Sequence, residues 1–134
     1  MEPTKIKKTD PGKRYRRVLS AHTLTGDIVR NPEGEELGRI DELMIDILSG
    51  RVAYAVLSFG GLLGMGGKLF PIPLTSLSLR TDRNGVLERA ILNVDKETIQ
   101  SAPGFDRSDI AVHTDRSFLS RVYSHYGVAP YWGD

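Results

Sequence analysis

The chain contains no cysteine. That single absence excludes disulfides, thiolate nucleophiles and cysteine-ligated metals, and it fits a reducing compartment, so a cytoplasmic setting is expected. No apolar run approaches the roughly 18 residues that a membrane-spanning helix requires. The N-terminal stretch MEPTKIKKTDPGKRYRR is not followed by the apolar segment of a secretory signal. Histidine is scarce. His22, His113 and His125 are the only three, and none stands at a metal-ligand spacing from another. There are no internal repeats and no low-complexity tracts. With 134 residues, 40% of them hydrophobic, the length suits one domain with short appendages.

Glycine is abundant where chemistry might be sought. FGGLLGMGGK, residues 59–68, invites a phosphate-binding reading, and that reading fails by position. A P-loop ending at Gly67-Lys68 requires glycine where Leu62 stands and a hydroxyl residue where Leu69 stands. A dinucleotide fingerprint starting at Gly64 also fails at Leu69, and LFPIP follows in place of a helix. Nucleophilic catalysis fares no better. Ser20 and Ser124 have histidines close by in sequence, but neither pair is oriented for proton transfer, and no nucleophile elbow exists. Glu42 and Asp46 share a strand face across Met44, about 13 Å apart, too far for a coupled carboxylate pair. No enzyme activity, cofactor, metal or small-molecule substrate is expected.

What is present is architectural. NPEG (Asn31–Gly34) and LSGR (Leu48–Arg51) mark turns, and Asn84-Gly85 is a strong hairpin dipeptide. Between the marks, strands are expected near Gly26–Arg30, Leu37–Ile47, Arg51–Phe59, Lys68–Ile72, Leu77–Thr81 and Val86–Asn93. Leu43, Ile45 and Ile47 alternate onto one face. The third strand is apolar on both faces: Val52, Tyr54 and Val56 on one, Ala53, Ala55, Leu57 and Phe59 on the other. Such a strand is covered twice, once by a core and again by a helix, the C-terminal tail or a second subunit. Six short strands with tight antiparallel connections suggest a small closed β-barrel, because closure removes exposed edges.

The C-terminal third is expected to be helical. Asp95 caps a short helix before Pro103, GFDRSDIAVHT reads as a loop, and a second helix runs from a Thr114 cap to Gly127. Phe118, Leu119, Val122, Tyr123 and Tyr126 form its apolar stripe. The expected organisation is a basic arm over 1–17, a barrel over 18–95 and a helical extension with an aromatic tail over 96–134.

Charge is distributed unevenly. Lys5, Lys7, Lys8, Lys13, Arg14, Arg16 and Arg17 face only Glu2 and Asp10 in the arm, a net of +5, while the rest of the chain has eleven basic and fifteen acidic residues. Such an arm suits RNA, a ribosomal particle or an anionic membrane surface, or serves only to keep the terminus solvated.

In order along residues 33–77, the sequence resembles the PRC-barrel domain family. The resemblance rests on Gly34, Leu37, Gly38 and Ile40, then Asp46, then Ser49-Gly50-Arg51, then Tyr54, then the glycines of 60–67, then Pro71 and Pro73. It implies a small six-stranded antiparallel barrel. The relatives it brings in are the cytoplasmic part of the photosynthetic reaction-centre H subunit and the C-terminal domain of the ribosome maturation factor, which binds a small-subunit ribosomal protein. In both, the barrel docks or assembles and carries no catalytic residues to transfer. This chain holds neither the H subunit's membrane helix nor room in 1–17 for the maturation factor's N-terminal domain, and resembles the stand-alone bacterial type. The expectation is a non-enzymatic interaction or assembly module that self-associates. Its alternatives are an RNA- or ribosome-linked protein using the arm, and a peripheral membrane module related to the H subunit. Candidate contact residues are Tyr54, Tyr123, Tyr126, Tyr131 and Trp132, with Leu62, Leu63 and Met65 either plugging the barrel mouth or meeting the partner.

Overall fold

In a computed structural model that describes residues 18–59, 68–84, 86–106 and 115–133, the expected strands form and a seventh joins them. A short helix α1 (Ala21–Leu24) leads into β1 (Ile28–Arg30), β2 (Glu36–Ile45), β3 (Val52–Ser58) and β4 (Lys68–Ile72). A 3₁₀ turn at Leu74–Ser76 precedes β5 (Leu77–Thr81) and β6 (Leu87–Leu92). Helix α2 (Lys96–Gln100), the two-residue strand β7 (Phe105–Asp106) and helix α3 (Arg116–His125) complete the order.

The mainly β architecture with short C-terminal helices matches expectation, and its connectivity refines it in three ways. The strands form one sheet in the order β5-β6-β1-β2-β3-β4-β7, and no ladder joins β5 to β7 to close a ring among the described residues. One pairing is parallel: β1 lies beside β6 with Val29 opposite Ala90 and Arg30 opposite Ile91. The stretch read as a loop after Gly104 instead supplies β7, which pairs antiparallel with Lys68 and Leu69. That pairing stops before Pro71, which has no N–H to extend a ladder.

The sheet curls around one core, although no ladder closes it among the described residues. Val29, Leu37, Ile40, Ala55, Leu57, Phe70, Ile72, Leu77, Ala90 and Leu92 meet inside it, joined by Leu24 of α1, Ile99 of α2 and Ala102 just beyond α2. Burying each large side chain among them stabilises the fold by about 1.5–3 kcal/mol. Phe59 and Phe70 pack edge to face at 5.8 Å. The curl has a local origin in β2, whose ten residues shift register against β3 twice, at Ile40/Glu42 and Met44/Ile45. Such bulges bend a strand and increase its twist.

Local signals account for the ends of the elements. Asp95 caps α2, its carboxylate accepting from the Thr98 backbone N–H and hydroxyl, both at 2.8 Å. The cap of α3 is Asp115, one residue beyond the expected Thr114, with Oδ1 accepting from Phe118 N–H at 2.7 Å. Helix α3 ends in a Schellman turn: Gly127 N–H bonds to the Ser124 carbonyl, Val128 N–H to the Tyr123 carbonyl, and Gly127 takes φ +69°.

Gly38 explains one position of the sequence motif. Its φ is +154°, and a Cβ built there would fall on the Ser58 carbonyl oxygen of β3. Leu37 just before it and Ile40 two residues after it are each only 1% exposed. Glycine at 38 therefore permits close contact of β2 and β3 with large side chains directly beside it. Gly38→Ala is expected to cost about 2–3 kcal/mol through backbone strain and strand displacement. Urea unfolding measures this, and a variant within experimental error of wild type would show that the two strands have room to separate.

Candidate functional site

The second face of β3 is covered from within the same chain. Ala53, Tyr54, Val56 and Leu69 pack against Phe105 and against Phe118, Leu119, Val122 and Tyr123 of α3, with Tyr126, Val128, Tyr131 and Trp132 around the edge. Tyr123 donates its hydroxyl to the Ala53 carbonyl at 2.6 Å. Ala53 therefore joins the Tyr54 side, departing from strict alternation, while Ala55, Leu57 and Phe59 face the sheet core.

From α3 the tail runs to the β2–β3 hairpin. Tyr131 donates its hydroxyl to Asp46 Oδ2 at 2.5 Å, and Arg51 Nη1 donates to the Tyr131 carbonyl at 2.5 Å. Asp46 Oδ1 accepts from the backbone N–H groups of Leu48 and Ser49. Asp46 and Arg51 close the hairpin through the Asp46 N–H and the Arg51 carbonyl at 2.8 Å. Trp132 stacks edge-on with Tyr131 at 5.1 Å, and the Arg116 guanidinium lies 5.0 Å over the indole. The turn is thus held from inside by its own aspartate and from outside by the tail.

At and beside the tip of this braced turn are exposed apolar residues. Ile47 is 90% exposed, Leu48 95% and Ile45 52%. The expected common face of Leu43, Ile45 and Ile47 does not form. Leu43 packs on the core, but the bulge at Met44/Ile45 and the turn starting at Asp46 break the alternation. These three exposed residues, with half-exposed Tyr131 and Trp132 beside them, are the candidate contact surface.

The residues singled out from sequence are distributed as follows. Tyr54 and Tyr123 are buried within the chain, 1% and 2% exposed, so they hold α3 to the sheet and are absent from its surface. Tyr126 is half-buried between the two cores, its hydroxyl enclosed without a hydrogen-bond partner among the described residues. Leu62, Leu63 and Met65, and the arm from Lys5 through Arg17, lie outside the described residues. His22 is exposed on α1, and His125 Nε2 lies 2.7 Å from the Thr98 carbonyl. Among the described residues no three acidic or histidine side chains gather as a metal site would require, and no helix is long and apolar enough to cross a membrane. Ile47 and Leu48 were missed because an apolar pair beside Ser-Gly reads as the end of a strand.

The clasp has an electrostatic signature. The Tyr131 hydroxyl, followed by the Ser49 and Leu48 N–H groups, holds Asp46 below its ordinary value of 3.8. Burial raises Tyr131, and its bond to Asp46 raises it further. Burial, then the nearby Tyr131, pushes Tyr123 up to about 12. Burial raises Tyr54 as well, with Glu42 adding to it.

Two pH effects follow. Asp46 is depressed in the folded chain, so its contribution is present above pH 3.8 and is lost as pH falls through its lowered value. Trp132, the only tryptophan, is expected to report that loss as an acid transition in its fluorescence that Tyr131→Phe abolishes. Tyr123 is raised, so its contribution is present below pH 10 and is lost as pH rises through about 12. Tyrosinate absorbance is expected to show a late-ionising fraction that Tyr123→Phe removes, and an unchanged titration in that variant would contradict the packing of α3 on Ala53.

The family model described as PRC-barrel domain matches residues 16–99, more than half of the chain. No curated protein matches it. The matched region takes in all of β1–β6 and most of α2, and it ends before α3 and the aromatic tail. On the extent of that match, the chain belongs to the PRC-barrel domain family.

Proposed function

We propose that this protein is a non-enzymatic interaction module that docks on a protein partner through the tip of its β2–β3 hairpin. The observation that supports this reading is the near-complete exposure of Ile47 and Leu48 on a turn already fixed by Asp46, Tyr131 and Arg51. A pre-ordered apolar anchor loses little conformational entropy when a partner encloses it. Each such side chain contributes about 1.5–3 kcal/mol when fully buried. Membership of a family whose barrels act in assembly supports the same reading.

A second copy of the chain is the first partner to consider. The face of β3 that suggested self-association is occupied by α3, so among the described residues the contact is assigned to the hairpin tip and the Tyr131–Trp132 edge. Multi-angle light scattering is expected to show an associated species that Ile47→Asp with Leu48→Ser dissociates. The melting temperature should barely change, because both side chains are solvent-exposed. A wild type that stays monomeric at all concentrations ends the self-association reading. Cross-linking capture from native cells then tests docking on another protein, and equal capture by wild type and double variant would end that as well.

A further inference from the structure

The half of the sheet away from α3 carries a different surface. Val29, Leu79 and Ala90 point into the core or pack against it, so their neighbours in sequence point outward. The strand registers then align those neighbours across four strands. Arg80 of β5 lies directly opposite Arg89 of β6. Val29 opposite Ala90 sets Ile28 of β1 beside Arg89, and Ile28 lies opposite Arg39 of β2. Three arginines therefore share one row, spanning about 14 Å at the usual strand spacing. Arg30 follows two residues along β1, opposite Glu36.

This row is poorly neutralised. Two like charges directly opposite each other destabilise a sheet, and neither Arg80 nor Arg89 has an ion pair among the described residues. Arg39 Nη1 donates to the Gly26 carbonyl at 2.9 Å, which fixes the guanidinium and leaves other N–H groups of its fork free to donate. Arg30 is 4.0 Å from Glu36. A cleft of about 630 Å³ is lined by Arg30, Arg39 and Arg89, and Asp27 and Glu88 are the acidic residues in its lining.

We propose that this outer face binds the phosphate backbone of nucleic acid, without reading base sequence. Each cation in the row is arginine, whose planar fork matches phosphate oxygens two at a time. A row of about 14 Å suits a repeating polyanion better than one isolated phosphate. No aromatic side chain belongs to the row, so stacked single-stranded bases find no platform and contact is made through the backbone. Ile28 within the row and Ile91 beside Arg30 are half-buried, which gives neither the apolar insertion of a lipid-binding face nor the exposed anchor of a peptide site. A phosphate between Arg80 and Arg89 would relieve their mutual repulsion.

The test is fluorescence anisotropy of a short mixed-sequence RNA duplex titrated with the full chain at several salt concentrations. Wild type is expected to bind with affinity that falls steeply with salt and is insensitive to duplex sequence. Arg80→Gln with Arg89→Gln is expected to weaken binding by about tenfold or more and to flatten the salt slope by about two. That variant should melt no lower than wild type, since it removes a like-charge pair, and Arg89→Gln alone gives a second reading should the double variant misfold. A chain lacking residues 1–17 is expected to keep a measurable dependence on Arg80 and Arg89. Unchanged binding in the arginine variants overturns the proposal. So does binding to anionic phosphatidylserine vesicles or to polyglutamate, but not to duplex, through the same two arginines. None of these outcomes depends on Ile47 or Leu48, so the hairpin reading stands or falls separately.

Discussion

The fold is organised around burial of both faces of one strand. From Ala53 to Leu57, β3 has no exposed side chain, and its two sides belong to different cores. A strand of this kind cannot be satisfied by a curled sheet alone, since curling covers only the inner face. The outer face needs a second apolar layer, and the stripe on α3 provides it. The Tyr123 hydroxyl bonded to the Ala53 carbonyl gives that layer a polar fixed point. The rest of the C-terminal region follows from the same demand. The Schellman turn at Gly127 redirects the chain, and the tail crosses to the β2–β3 hairpin where Tyr131 meets Asp46.

That arrangement divides the outside of the sheet into surfaces with different physical character. Over β3 and β4 the outer face is sealed by α3 and aromatic side chains. Over β5, β6, β1 and β2 the register places arginines instead. Between these regions in chemistry, the hairpin tip presents Ile47 and Leu48 on a turn with little freedom left. Sites carried on strands and braced turns are positioned more accurately than sites on long loops. The chain thus carries exposed apolar side chains and a row of arginines on different parts of one sheet.

Parts of this were legible in the residues. Turn chemistry at Asn31–Gly34 and the cap at Asp95 are local, and both formed as read. The apolar stripe of α3 was visible at helical spacing, and Phe118, Leu119, Val122 and Tyr123 are buried. The two-sided character of β3 was equally plain. Other features were hidden by single-residue irregularities. The register shift at Met44/Ile45 sends Ile45 outward and breaks the pattern that alternation predicts. A two-residue strand such as β7 is too short to carry a period, and its partner at Lys68–Leu69 lies far along the chain.

Six of the strands, the two C-terminal helices, several turns and the need to cover β3 twice were readable from the residues alone. Those properties arise from backbone preferences and side-chain periodicity over a few neighbouring residues. Tertiary structure decided what covers it: of a helix, the C-terminal tail or a second subunit, α3 of the same chain fills the place. It also decided that β1 meets β6 in parallel and that Arg80, Arg89 and Arg39 share a row. Asp46 and Tyr131 meet across a separation of 85 residues. No local pattern encodes such meetings, because they depend on the register and curvature of every strand between them.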